Sequence, residues 1–418
     1  MKVVHMTSVH RWNDMRIQAK MCRSLARAGH EVHLVVPRED GPPVEQLDGV
    51  WLHAVPCPRG RCQRLTQTVL RVWRRAQAIP ADVYHFHDPE LIPAGLGLKL
   101  LGRRVVYDMH EDLPKDILDK DWIPRWLRGS VAWNSAAVER LASRCLDGMV
   151  AATPSIGQRF PAGHTVVVQN FPILDELSGG VSVPFAQRPP WVAYVGGITR
   201  IRGLGEVVSA MGQLPSSLAP QLVLAGEISP EKFETELRQR DTANRVSFRG
   251  WQGRRDVAEL LAQACAGVVT YLPVANHLEA QPNKLFEYMS AGLPVIASDF
   301  PLWRQIVTTA ECGLLVDPED PSAIAEAICW LLEHRDQAQE LGRRGQQAVC
   351  QQYHWEPEAQ ALMNFYERVV RGQAKEAEPA PSMPAVDTAW RAASSQVRSI
   401  SPMLGRVSTG MEKCVGSR

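Results

Sequence analysis

None of the nine cysteines stands in a C-x-x-C pair, and none has the neighbouring histidines that zinc sites use. Cys22, Cys57, Cys62, Cys145, Cys265, Cys312, Cys329, Cys350 and Cys414 therefore read as reduced thiols of a cytoplasmic chain, and a disulfide framework is excluded. The start, MKVVHMTSV, is too polar for a secretory h-region. A long uncharged stretch, Leu260 to Asn276, is broken by Gln263 and Pro273 and is too short to cross a bilayer. Net charge is nearly absent, with 46 Lys and Arg against 45 Asp and Glu. Such a balance gives no general field for nucleic acid, which is not expected as a partner, so any anionic ligand must be met by a local patch. No strand pattern runs into G-x-G-x-x-G, which excludes the usual dinucleotide fingerprint.

What remains is a chain of 418 residues, 45% hydrophobic and 22% charged, long enough for two domains each with its own core. KVVHMTS, then MRIQAKMCRSLARAGHEVHLVV, reads as strand, helix, a Gly29 stop and a second strand. DVYHFH, RVVYDMH and GMVAATP repeat the strand pattern, with a helix expected over Ser135 to Arg144, so the first half is expected to be a parallel α/β domain. From Asn170 to Pro190 the pattern lapses into a Pro-, Gly- and Ser-rich linker. A second parallel series follows: WVAYVGG, QLVLAGE, RVSFRG, AGVVTYLP and LPVIASD alternate with helices at Gly205 to Met211, Ser229 to Arg240, Arg254 to Gln263 and Asn283 to Ala291. Two doubly wound domains that face each other leave a cleft lined by the carboxyl ends of their strands, which is where open sheets bind ligands.

One stretch stands out at such a strand end. HLEAQPNKLFEYMSAGLPVIASDF places Glu279 on a loop, Pro282 before a helix, Lys284 in its first turn and Glu287 within it. A lysine there opposes the helix dipole unless an anion is near, and a helix N-terminus carrying a lysine suits a diphosphate. The competing reading is a merely solvated face, which the apolar Leu285, Phe286, Tyr288 and Met289 disfavour. YVGGITRIRG supplies a second cue: a strand runs into Gly196 and Gly197, then Arg200 and Arg202, so backbone amides and guanidinium groups can close on phosphate oxygens.

In the first half, HFHDPE and DMHED end strands with Asp88 and with His110, Glu111 and Asp112. Capping or turn roles are one reading and a cleft site another; a metal site is a third, although His85 and His87 alternate on one strand and share a face only with each other. After the first strand, SVHRWNDMR brings Asn13, Asp14 and Arg16 to the cleft border, within reach of an acceptor or a diphosphate. Two segments read as basic and amphipathic. One carries Arg59, Arg61, Arg64, Arg71, Arg74 and Arg75 beside Leu65, Val69, Leu70 and Trp73; the other carries Trp122, Trp126 and Trp133 near Arg125 and Arg128. Both suit an anionic membrane surface, and both equally suit helices packed on their own sheet.

The Glu279 to Glu287 spacing, preceded by VVTYLPVANHLEA and followed by MSAGLPVIASD, resembles the donor motif of retaining GT-B glycosyltransferases of family 4, and the resemblance runs from Met1 to about Arg371. It implies a GT-B architecture of two Rossmann-like domains. Residues 1–170 would form the acceptor-side domain, 171–190 the linker, 191–352 the nucleotide-sugar domain, 353–371 a helix crossing back to the first domain, and 372–418 a disordered tail. By the same resemblance Glu287 grips the ribose, Glu279 and His110 lie by the transferred sugar, Lys284 and Arg202 meet the diphosphate, and Asp88 is a cleft residue. Many members have Gly-Arg where this chain has Gly196 and Gly197, and Arg200 is expected to reach in instead. The implied reaction is front-face transfer of a hexose from a nucleoside diphosphate sugar to a glycan or lipid-linked acceptor. It uses neither a metal nor another cofactor, and the enzyme is expected to be cytoplasmic and peripheral on the inner membrane face. A nucleotide-sugar epimerase and a catalytically silent binding subunit share the architecture and stand as alternatives.

Overall fold

The computed structural model describes residues 1–120, 123–174, 176–177 and 183–373. Trp122, part of the linker and nearly all of the 372–418 tail lie outside the described residues. The first sheet comprises β1 (Lys2–Met6), β2 (Glu31–Pro37), β3 (Val44–Leu47), β4 (Val50–Val55), β5 (Val83–Phe86), β6 (Val105–Met109), β7 (Gly148–Ala151) and β8 (Thr165–Val167). Their spatial order is β3-β4-β2-β1-β5-β6-β7-β8. Most of these strands are short runs rich in Val, with Leu, Met and aromatic residues. β5, β6 and β7 are buried at every position, as expected when helices cover both faces.

The expectation of a wholly parallel first domain needs one correction: β3 pairs antiparallel with β4 at the sheet edge. Asp48 (φ 50°) and Gly49 (φ 81°) both occupy the left-handed region, the geometry of a two-residue hairpin turn that Asp-Gly favours. The helix expected over Ser135 to Arg144 is also longer, Arg125–Cys145, because it starts directly after Pro124 and runs through Gly129 without a break.

The second sheet, β9 (Trp191–Val195), β10 (Gln221–Ala225), β11 (Val246–Gly250), β12 (Ala266–Val269), β13 (Val295–Ser298) and β14 (Gly313–Val316), is parallel throughout. Its order is β11-β10-β9-β12-β13-β14. Strand order therefore reverses between β1 and β5 in one sheet and between β9 and β12 in the other. The loops leaving these strands diverge there and open a crevice, which positions the site described below.

The chain crosses between domains twice. After the linker takes it to the second domain, the Trp355–Arg371 helix returns to the first sheet, where Trp355, Leu362, Phe365, Tyr366 and Val369 share a buried cluster with Val3, Val32 and Val106. At about 1.5–3 kcal/mol for each large apolar side chain removed from water, this packing outweighs any surface ion pair and fixes the helix to the first domain. The two crossings touch: the Trp355 amide donates to the Pro172 carbonyl at 2.9 Å, and the rings of Phe171 and Tyr353 meet at 5.5 Å.

Candidate active site

Between the domains lies a cavity of about 610 Å³, lined by His10, Asp88 and His110 from the first domain and by Arg202, Glu279 and Lys284 from the second. Each comes from a loop or helix that follows β1, β5, β6, β9 or β12, as strand-end placement requires.

On the second-domain side the cations are held by aromatic rings. Lys284 Nζ donates to the Tyr271 hydroxyl at 3.2 Å and lies 5.4 Å from the centre of the Tyr194 ring. The Arg202 guanidinium stacks 4.1 Å above the Tyr271 ring, close enough for a cation–π attraction. Gly196 makes the arrangement possible. At φ 116°, a Cβ there would fall 2.6 Å from Lys284 Cε and 2.7 Å from Nζ, so any side chain would displace the lysine. Gly203 works similarly one turn later, where a Cβ would sit 1.8 Å from the Thr270 carbonyl oxygen. Neither Gly196 nor Gly197 lines the cavity itself, and the Gly197 position opens onto free space.

Arg200 departs from expectation. Its guanidinium forms a paired contact with both carboxylate oxygens of Glu236, lies over the Phe233 ring and does not line the cavity. The sequence offered no sign that Glu236 would capture it. Arg202 and Lys284 are thus the cations presented here.

Glu287 is half-buried and stands outside the lining of that cavity; it receives an Arg254 guanidinium nitrogen on Oε1 at 2.9 Å. Arg254 is itself gripped by the two oxygens of Glu176 in the linker, at 3.0 and 2.7 Å. Burial pushes the Glu287 carboxyl up, but Arg254 and then Lys20 more than offset this and hold it below the usual carboxylate range. An ionised carboxylate is the form that accepts hydroxyl hydrogens. Lys20, lowered to about 8 chiefly by burial, donates to the side chain and carbonyl of Asn170 at 2.6 and 3.1 Å.

On the first-domain side Asp88 is buried. One of its oxygens accepts from Thr7 Oγ1 at 2.8 Å and the Ser8 amide at 2.6 Å, and the other faces His10 Nε2 at 3.4 Å. It buttons down the loop after β1 and orients His10. Asp14 caps the helical turn at Met15–Cys22 by accepting from the amides of Arg16 and Ile17, both at 2.9 Å, and reaches His10 Nδ1 at 3.3 Å. Burial lowers His10, but the bond to Asp14 and the charge of Asp88 outweigh it and raise its pKa. Arg16 is not free to meet an acceptor or a diphosphate: its buried guanidinium bonds both oxygens of Asp108, at 3.0 and 2.8 Å, and the Val168 carbonyl at 2.8 Å. Asn13 is exposed and outside the cavity. His110 is partly exposed to the cavity and donates through Nε2 to Asp108 at 2.9 Å, its ring 4.8 Å from that of His10.

Three participants escaped the sequence reading. His10 stands in the very segment singled out for Asn13, Asp14 and Arg16, so the strand-end argument reached it without selecting it. Lys115 pairs across the cleft with Glu279, and Arg254 with Glu287; both are ordinary helix residues in sequence. Among the described residues two groups have donor atoms all within 4.8 Å of one another, as a metal site requires: His5, His85 and His87, and His87, Asp108 and His110. Most of these atoms are joined by hydrogen bonds; His85 Nε2 is buried without a partner.

Residues 189–334 match the family described as "Glycosyl transferases group 1", and residues 16–170 the family described as "Glycosyl transferase 4-like domain". A GDP-mannose-dependent alpha-mannosyltransferase of Mycobacterium tuberculosis is 27% identical over 379 residues, 85% of this chain and 92% of that protein. The lipopolysaccharide glucosyltransferase WaaG of Escherichia coli is 30% identical over 117 residues, 28% of this chain and 29% of that protein. Sucrose-phosphate synthase from Thermosynechococcus elongatus has the same fold, with a TM-score of 0.73 at 21% identity over 88% of this chain and 99% of that one.

Proposed function

The chain belongs to the group 1 glycosyltransferases of the family 4 type, with a GT-B fold, and on that premise we propose that it is a retaining hexosyltransferase. Its donor is a nucleoside diphosphate sugar and its acceptor a glycan or lipid-linked saccharide of cell-surface polysaccharide synthesis. The observation that carries the reading is the pair Lys284 and Arg202, both held on Tyr271 at the carboxyl edge of the second sheet and facing His110 across one cavity. A diphosphate bound there meets two fixed cations, with the ribose at Glu287 and the sugar between Glu279 and His110. In front-face transfer the leaving diphosphate takes the acceptor's proton, so stabilising its growing charge is the protein's main task, and in this reading side chains perform it without a metal.

A panel of UDP-, GDP- and ADP-sugars tests the donor assignment. One base is expected to raise the melting temperature by a few degrees at saturating concentration, through preferential binding to the folded state. Release of nucleoside diphosphate that depends on acceptor distinguishes transfer from its rivals, since an epimerase scrambles the sugar without acceptor and a silent subunit does neither. No shift with any donor and no release would overturn the reading.

The reading extends to the membrane. On the Arg125–Cys145 helix Trp126 and Trp133 are 80% and 72% exposed, and their seven-residue spacing puts them on one face. Arg125, Arg140 and Arg144 are exposed beside them, whereas Trp73 is packed against Gly97 and takes no part. No helix among the described residues is long and apolar enough to cross a membrane. Reversible attachment to the anionic inner face is proposed, at about 1 kcal/mol for each basic residue near the surface. The chain is expected to sediment with anionic liposomes at low salt and to leave them at high salt; failure to sediment at low salt would reduce these tryptophans to an uncommitted face.

A further inference from the structure

Beneath His110 runs a buried hydrogen-bonded chain that extends through the first sheet to the Trp355–Arg371 helix. Asp108, on β6, is fully buried and has four donors around it. Arg16 supplies two, and the rings of His87 (Nδ1, 3.0 Å) and His110 (Nε2, 2.9 Å) converge on Oδ2. Burial raises the Asp108 carboxyl, yet the Arg16 charge and the hydrogen bonds from His110 and His87 outweigh it and keep it ionised. An ionised carboxylate only accepts, so each ring must carry its proton on the nitrogen that faces it. His110 is therefore protonated on Nε2 and His87 on Nδ1. The assignment propagates: His87 Nε2, left bare, accepts from His5 Nδ1 at 2.9 Å, and His5 Nε2 then faces the Tyr366 hydroxyl at 3.4 Å. The 3.2 Å approach of His87 Nδ1 to His110 Nε2 is two donors meeting at one oxygen, not a bond between them.

Resting on the proposed transferase reading, we propose that Asp108, pinned by Arg16, is a positioning residue that fixes His110 in the Nε2–H tautomer. The nitrogen His110 offers to the cleft is then Nδ1, a bare acceptor. It engages a substrate hydroxyl by receiving its hydrogen, and it is unsuited to a phosphate oxygen, which has no hydrogen to give. The preference thus lies in a carboxylate that never touches substrate.

The tautomers are directly readable from long-range proton–nitrogen NMR spectra of ¹⁵N-histidine-labelled protein without ligand, with His110 assigned through a His110→Gln variant. His110 is expected to show a protonated Nε2 and a bare Nδ1 at neutral pH, and His87 the reverse. A wild-type His110 protonated on Nδ1, or on both nitrogens, would overturn the proposal, as would stoichiometric metal retained by the dialysed protein at these rings. In Asp108→Asn the carboxamide cannot accept from all four donors. The His110 proton is expected to move to Nδ1, and turnover to fall about tenfold, the loss of one hydrogen bond to a hydroxyl, while the donor KM stays within about twofold. An unchanged tautomer in that variant counts against Asp108. Should the variant fail to fold, the wild-type spectrum still decides. Because the tautomer is read without substrate, an error in the donor assignment leaves this result untouched.

Discussion

Lys284→Ala is expected to slow release of nucleoside diphosphate by about a hundredfold or more, while donor affinity changes by only a few-fold. The asymmetry follows from when the lysine is needed. In the ground state the diphosphate is also met by Arg202, so one cation suffices to hold it. As the bond to the sugar breaks, negative charge accumulates on the leaving oxygen, and an ammonium already fixed by Tyr271 and the Gly196 turn stabilises it without reorganising. The truncation should not disturb the fold, since among the described residues Nζ has its hydrogen bond to the Tyr271 hydroxyl alone, and Tyr271 borders the cavity. Steady-state rates with the donor selected by the thermal-shift panel provide the measurement, and a rate within twofold of wild type would remove Lys284 from the mechanism.

The second large effect is on binding. Glu287→Ala is expected to weaken donor affinity by about tenfold to a hundredfold, because each hydrogen bond to a charged carboxylate contributes roughly 1.5–3 kcal/mol and 1.4 kcal/mol is a factor of ten. Removing one partner of a buried ion pair usually destabilises a protein strongly, since the other charge is left alone. Here Arg254 keeps both oxygens of Glu176, so the melting temperature of the free protein should stay near that of wild type. Calorimetric titration separates the two quantities. Unaltered donor affinity in a folded variant would show that the ribose lies elsewhere.

Most of the fold was legible because its strands are brief apolar runs ended by polar residues, and that pattern survives without knowledge of what each strand packs against. The β3–β4 hairpin was legible too, in Asp48-Gly49, but its short partly polar strands do not resemble the buried ones and were passed over. For the site, the sequence located strand ends and hence the residues that gather at the cleft: His110, Asp88, Arg202, Lys284 and Glu279. It could not supply direction. Nothing local to Arg16 distinguishes a guanidinium aimed at a ligand from one bonded to Asp108, 92 residues away, and Arg200 was lost in the same way to Glu236, 36 residues away. Distant acids compete for arginine, and only the folded chain decides which of them win.

The contact between the two interdomain crossings constrains how this protein can move. Two connections far apart would lock the halves rigidly, and a single one would leave them free to twist. Two that touch, with the Trp355 amide bonded to the Pro172 carbonyl, behave as one pivot. Groups anchored at that pivot would travel little in any rotation about it: Lys20 on Asn170, and Arg254 with Glu287 on Glu176. Pairs that bridge the two halves without touching it, Lys115 with Glu279 and Arg11 with Glu227, are the contacts that a rotation about this pivot would have to break.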